Sequence, residues 1–340
     1  MNERICYFED YQVGQEGITG SGFGSRTVTE ADIVNFACLT SDYHRTHLSR
    51  EYMANSIYGD RVAHGLLGSS LVTGMLSLCA PHILGRGVPG AYFHCFDANY
   101  RGGIKLGDTI KIQWCVAEKV DYPTHEGFGL VKTDFQLVNQ EGTSVYDGSL
   151  TIIVRKEAAG DAELRLETGD LGQVTEFVPD PDQDYYAEDW PVGKGGETDG
   201  RTITETDIVN FTGLTGDNNP QYVDAEFARR SMFGERIAPG MLVFAIAFGL
   251  WMRELNRYRQ PKAGVAGHLN DKVTFLAPVK VGDTVRCRYK VTATRVSRSR
   301  PEVGIVTSGL QVVNQRNEVV QEGSVVFMIP SRAGLGMQAL

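Results

Sequence analysis

"RTVTEADIVNFACLTSD", residues 26–42, returns as "RTITETDIVNFTGLTGD" at residues 201–217, an offset of 175 positions from Asp42 to Asp217. The same offset carries "YGDRVAHGLL" (58–67) onto "FGERIAPGML" (233–242) and "KLGDTI" (105–110) onto "KVGDTV" (280–285). It also carries "QLVNQ" (136–140) onto "QVVNQ" (311–315) and "DGSLTI" (147–152) onto "EGSVVF" (322–327), with no gap between. Self-similarity at a fixed register marks a duplicated structural unit. Two domains of one fold are expected, packed about a pseudo-twofold axis as two separate copies would be. The boundaries read as a first repeat over 1–155, a linker over 156–186 and a second repeat over 187–340. The linker "RKEAAGDAELRLETGDLGQVTEFVPDPDQDYY" (155–186) is rich in Gly, Asp, Glu and Pro, a composition of crossing segments.

Each copy carries the same order of periodicities. "TVTEADIVNFACLT" predicts a helix: Thr29 is an N-cap candidate, Asp32 follows three residues on, and Ile33, Phe36 and Ala37 share a face. "SREYMANS" predicts a short helical segment. "AHGLLGSSLVTGMLSLCAPHI" (63–83) predicts a long helix, apolar on most sides and therefore buried, stopped by Pro81. From about residue 90 the pattern alternates between Gly-rich turns and reads as strands. One buried helix wrapped by an antiparallel sheet, twice over, is an α+β architecture.

The chain has 340 residues and a formal net charge of −9, which argues against a general nucleic-acid or membrane-surface role. No apolar run is long enough to span a bilayer, and Met1–Gln15 lacks the basic-then-apolar pattern of a secretory signal. The six cysteines never form a C-x-x-C pair, poor spacing for a disulfide framework or a zinc knuckle. A reducing, cytoplasmic location is expected.

The pattern "F-A-x-x-T-x-D-x-x-x-x-H", followed by "Y-G-x-R-V-A-H-G-L-L" and "K-L-G-D-T", resembles the MaoC-like (R)-specific enoyl-CoA hydratases and 3-hydroxyacyl-CoA dehydratases, which have the hotdog fold. Because both halves show it, the resemblance implies a tandem, double hotdog. It also implies a D-x-N-P-x-H segment whose Asp and His act on the catalytic water. The halves divide that segment. The first has Asp42-Tyr43-His44-Arg45-Thr46-His47 and keeps Asp and His. The second has Asp217-Asn218-Asn219-Pro220-Gln221-Tyr222 and keeps Asp, Asn and Pro, with tyrosine in place of His. The helix entry divides too, as His64-Gly65 and Pro239-Gly240.

Adding water across a 2-enoyl thioester needs a base for the water, an acid for Cα and donors for the thioester oxygen. Asp42 and His47 are the expected acid/base couple. Gly65, at the mouth of the buried helix, offers a backbone N–H backed by the positive end of the helix, which suits an oxyanion. The family's oxyanion donor falls at the same glycine. His44, Arg45 and His64 are expected at the substrate. Arg45 stands where the resemblance implies proline, and a guanidinium fork there would suit a carboxylate on a dicarboxylic or branched acyl group. Asp42, His44, His47 and His64 also have the composition of a two-His-one-carboxylate metal set, but the family uses no metal, and neither metal nor cofactor is expected. In "RCRYKVTATRVSRSR" (286–300), Arg286, Arg288 and Lys290 alternate on one strand face and are the expected partners of the coenzyme A phosphates.

The expected function is reversible hydration of a trans-2-enoyl-CoA to the (R)-3-hydroxyacyl-CoA, on an acyl-CoA substrate, in a dimer of double-hotdog chains or a monomeric pseudo-dimer. The rivals are a non-catalytic acyl-CoA-binding subunit and a hotdog thioesterase.

Overall fold

The computed structural model describes residues 6–18, 24–54, 56–80, 91–159, 164, 166–259 and 267–333. Its first half contains β1 (Glu16–Ile18), β2 (Ser25–Thr27), α1 (Glu30–Thr40), α2 (Arg45–Leu48), α3 (Arg50–Met53) and α4 (Gly65–Cys79). Strands β3 (Ala91–Tyr100), β4 (Thr109–Asp121), β5 (Phe128–Val138) and β6 (Ser144–Arg155) follow. The second half opens with β7 (Thr175–Glu176), β8 (Lys194–Glu197) and β9 (Arg201–Thr202). Helices α5 (Glu205–Thr215), α6 (Pro220–Val223), α7 (Ala225–Arg230) and α8 (Gly240–Leu255) come next. Strands β10 (Gly267–Phe275), β11 (Thr284–Val296), β12 (Val303–Val313) and β13 (Val319–Pro330) close the order. Each half is α+β, and the two orders match element for element from α1 to β6 and from α5 to β13. The expected stop of α4 at Pro81 lies outside the described residues.

The strands join into one sheet in the order β1-β4-β5-β6-β3-β10-β13-β12-β11-β8-β7, with β2 on β4 and β9 on β11. The seam is the antiparallel pair β3–β10, where Asn270 faces Asn99 and Val273 faces Phe96. The Asn270 side-chain amide also donates to Asp97 Oδ1 at 2.9 Å across this seam. The linker follows the second half: Thr175–Glu176 pairs in parallel with Lys194–Gly195.

Local chemistry explains the helices that carry the site. The Thr29 N–H donates to the Asp32 carboxylate at 2.7 Å, closing the start of α1. At the start of α5 the box is complete, with Thr204 N–H on Asp207 at 2.8 Å and Asp207 N–H on Thr204 Oγ1 at 3.2 Å. The C-terminal carbonyls of these helices are held across the pseudo-twofold. Arg26 pairs with Asp32 and donates to the Leu214 carbonyl, while Arg201 pairs with Asp207 and donates to the Leu39 carbonyl. Cations at helix C-termini are favourable, and here each repeat supplies the other's.

Helices α4 and α8 are apolar almost all round and lie buried against the sheet. Two glycines bring each onto the opposite repeat. A Cβ on Gly249 of α8 would stand 1.9 Å from the Thr40 carbonyl oxygen, and one on Gly74 of α4 would stand 1.8 Å from that of Thr215. The 175-residue offset relates these glycines, so the second repeat's core helix is the floor under the loop that begins at Thr40.

Candidate active site

Helix α1 ends at Ser41 in the left-handed conformation (φ 67°), where the second copy has Gly216 (φ 82°). This turn sends the chain back toward α4 and buries Asp42. The Asp42 carboxylate accepts the His44 N–H at 3.2 Å, and the His44 side chain accepts the Thr46 N–H at 3.4 Å. His44 thus caps the single turn α2, which presents His47 next to Asp42. The segment between Asp42 and His47 is therefore a capped helical turn.

His47 Nδ1 lies 2.8 Å from the Val62 carbonyl. A carbonyl only accepts, so Nδ1 carries the proton and Nε2 keeps a lone pair. Burial drives the His47 pKa well below the ordinary histidine value, with the neighbouring His64 reinforcing the shift and Asp42 opposing it. Burial likewise pushes His64 down to about 4. Its Nε2 sits 3.0 Å from the Asp42 carbonyl oxygen, and its ring stacks on His47 with centroids 3.8 Å apart. Two neutral imidazoles and one carboxylate thus stand together.

Ligand atoms of Asp42, His47 and His64 fall within 4.8 Å of one another. Their composition could hold a metal ion. Each ring also spends one nitrogen on a backbone carbonyl, His47 on Val62 and His64 on Asp42, which leaves one nitrogen per ring for other work.

Asp42, His44, His47 and Gly65 line one cleft of about 90 Å3, and its remaining walls come mostly from the second repeat. Phe248, Met252 and Leu255 of α8 face Phe327, Met328 and Ile329 of β13, with Trp190 and His268 completing the enclosure. Gly65 is the first residue of α4, so its N–H has no helical carbonyl to reach. A Cβ there would stand 2.7 Å from His268 Nδ1.

The structure thus brings together Asp42, His44, His47, His64 and Gly65, and separates the other expected residues from them. Arg45 is exposed, stacks over Tyr52 at 4.3 Å and faces a neighbouring recess. Arg286, Arg288 and Lys290 alternate with the buried Cys287 and Tyr289, which places them on the opposite face of β11 from the core. Arg286 and Arg288 both pair with Glu197, at 3.0 and 2.6 Å. The expected alternation on one strand face is present, that face is turned away from the core, and none of the three lines the cleft. His268, Trp190 and the α8 and β13 residues were missed. A signal for His268 existed, since the repeat offset sets it against Phe93, a polar group where its twin is apolar.

The second copy's corresponding position is closed. Asp217 is buried, and desolvation raises its pKa to about 6 against the opposing effect of Thr73 and the Asn219 amide. Tyr222 is buried where His47 stands in the first copy, and Pro239 replaces His64. The space beside Asp217 is about 20 Å3, against about 90 Å3 at Asp42.

A profile of the family described as MaoC like domain matches residues 20–133 and again 190–314. Among curated proteins, the chain is 35% identical over 148 residues to the (R)-specific enoyl-CoA hydratase of Rhodospirillum rubrum, covering 44% of this chain and 94% of that one. It is 32% identical over 117 residues to the 3-hydroxybutyryl-CoA dehydratase of Methylorubrum extorquens, covering 34% of this chain and 68% of that one. Among solved structures, a putative MaoC domain protein dehydratase from Chloroflexus aurantiacus superposes with a TM-score of 0.75 at 18% identity, covering 97% of this chain and 99% of that one. A Mycobacterium tuberculosis protein described as having a double hotdog fold gives 0.67 at 14%, covering 96% and 98%. The fold is the double hotdog.

Proposed function

The chain belongs to the MaoC-like domain family, and from that premise we propose that it is a hydro-lyase that reversibly hydrates a trans-2-enoyl-CoA to the (R)-3-hydroxyacyl-CoA. The observation that carries this is the couple at the cleft floor. Asp42 is buried, and beside it stands a His47 whose Nδ1–H is committed to Val62, leaving Nε2 as a base at neutral pH. A water between them gives its oxygen to Cβ of the thioester and a proton to the couple. The couple returns one proton to Cα, so H and OH add across the double bond and the protein ends as it began. The Gly65 N–H faces the thioester oxygen, where negative charge grows.

The walls favour an apolar acyl chain. Phe248, Met252, Leu255 and Phe327 line the cleft, and no Lys or Arg among the described residues does. A carboxylated acyl group would find no cation there, and Arg45 stands outside. Arg45, Arg257 and Arg259 instead line a recess that shares His44, Met252 and Leu255 with the cleft. That recess suits the phosphates of the coenzyme, in place of the β11 strand.

The test is turnover of crotonyl-CoA and a longer enoyl-CoA, followed by loss of the enoyl-thioester absorbance band. Asp42→Asn and His47→Gln should each lower kcat by about 10²–10⁴ with the fold intact. Release of free CoA thiol in place of a 3-hydroxyacyl product would mean hydrolysis, and no turnover of any ester would mean a binding protein.

A further inference from the structure

We infer that His268, lent by the second repeat, is a catalytic residue of the first repeat's site and donates to the thioester carbonyl oxygen beside the Gly65 N–H. This rests on the hydration proposed above and goes beyond it, because the role falls on the half whose own Asp/His pair is missing.

The placement comes first. His268 Nδ1 borders the cleft and lies so close to Gly65 that a Cβ there would meet it at 2.7 Å. The two groups therefore frame one spot at the mouth of α4. The ring is fixed on its faces by stacking on Tyr100, Phe248 and Phe327, with centroids 4.6, 5.4 and 4.9 Å away. Its other nitrogen, Nε2, stands 2.6 Å from Asp271 Oδ1, a close contact whose N–H is poorly aligned with the oxygen. Asp271 has no exposed side-chain surface and is also held by the Tyr100 hydroxyl, which in turn lies 3.0 Å from Ser69 Oγ. Among the described residues the ion-pair partner of Asp271 is His268. Asp271 lies at the Nε2 end of the ring, so Nδ1 is the nitrogen left to donate on the Gly65 side, with the carboxylate behind it to orient the ring.

The second observation is internal to the chain. The 175-residue offset carries Ser69, Tyr100, His268 and Asp271 onto Phe244, Phe275, Phe93 and Phe96. All four members of the polar chain are phenylalanine around the closed position. There Phe93 packs edge-on to Phe275 at 4.8 Å, and a Cβ on Gly240 would meet the Phe275 ring at 2.6 Å. The same fold therefore accepts an apolar filling at these positions. A buried carboxylate–imidazole pair is expensive to keep where packing alone would serve. Its presence only beside the open cleft points to work done on a ligand there.

The test replaces His268 by phenylalanine, its twin's residue. Two readings are taken: kcat on crotonyl-CoA, and the absorption of 2,4-hexadienoyl-CoA bound in an Asp42→Asn background. Hydrogen bonds to the carbonyl shift the band of a conjugated thioester to longer wavelength. His268→Phe should lower kcat by about 10²–10³ with a much smaller change in KM, and should shrink the shift of the bound dienoyl ester. Asp271→Asn should do the same to a lesser degree, as expected of a positioning residue. A kcat within about threefold of the parent, or a shift that survives His268→Phe, overturns the inference. Should His268→Phe not fold, the same readings on His268→Asn decide. The absorption needs no turnover, so a protein that binds the ester without hydrating it sinks the hydration and still tests His268.

Discussion

The imidazole of His47 lies against that of His64, centroids 3.8 Å apart and planes 29° apart, with His64 buried and His47 half-buried at the edge of the cleft. Burial first, and each ring's effect on its neighbour second, makes protonation of His47 unfavourable. The base in the proposed mechanism must be unprotonated, so lowering its pKa moves the acid limb of the rate profile to lower pH. The expected kcat/KM profile for crotonyl-CoA is flat from neutral pH down through the ordinary histidine range near 6.5, and falls only below it. His64→Leu keeps the burial and removes the neighbouring ring, so the acid limb should move up in pH. A limb centred at an ordinary histidine value in the parent protein would show that His47 is not the titrating base.

Gly249 and Gly74 are twins with different consequences. Each lies under a carbonyl of the opposite repeat, Thr40 and Thr215 respectively, closer than any Cβ can approach. Ala at either position forces the loop and the core helix apart, at a cost of about 1–3 kcal/mol or more. The loop over Gly249 begins the Asp42 segment, while the loop over Gly74 begins the closed Asp217 segment. Both variants should melt several degrees lower, yet at a permissive temperature only Gly249→Ala should lose most of kcat. Equal activity in the two folded variants would separate the second repeat's helix from the geometry of the couple.

Arg45 faces the recess, with its guanidinium over Tyr52 and the guanidinium groups of Arg257 and Arg259 on the same wall. The latter two already have partners in Glu254 and Asp184, at 2.8 and 2.6 Å. Arg45→Leu should therefore raise KM for CoA esters by about three- to tenfold, the scale of one charge-assisted contact, with kcat little changed. The loss should be equal for a carboxylated and a plain enoyl-CoA, and should vanish on the phosphate-free pantetheine ester. A loss confined to the carboxylated substrate would return Arg45 to the acyl group.

The duplication was legible because identity at a fixed offset needs no propensity argument, and it set the order of helices and strands in each half. Asp42, His47 and Gly65 were legible because the division of one motif between two copies singles out the intact one. The cleft's far walls were not. Phe248 and Met252 lie on a helix that is apolar almost all round, and periodicity cannot say which of its apolar faces meets the other repeat. The basic residues of β11 were visible as a stripe, but a two-residue period leaves open which face of the sheet is which. Only the tertiary fold, with Cys287 and Tyr289 inward and Glu197 across from the cations, decides that.

Asp217 is the remnant of the second couple, and it leaves a thermodynamic trace. Desolvation raises its pKa from an unfolded value near 4 to about 6 in the folded chain. The native state therefore binds this proton more tightly than the unfolded state does. The stability associated with it is fully present below about pH 4 and is lost as pH rises through about 6. The two-unit difference corresponds to about 3 kcal/mol at 1.36 kcal/mol per unit. Asparagine keeps the shape and carries no charge, so Asp217→Asn should differ little from the parent at pH 4. At pH 7.5 it should be more stable, by up to about 3 kcal/mol, and melt several degrees higher. Paired melting curves at the two pH values read this directly, because every other titrating group is common to both proteins. A difference between the proteins that does not change with pH would mean that Asp217 reaches solvent or a cation in the folded chain.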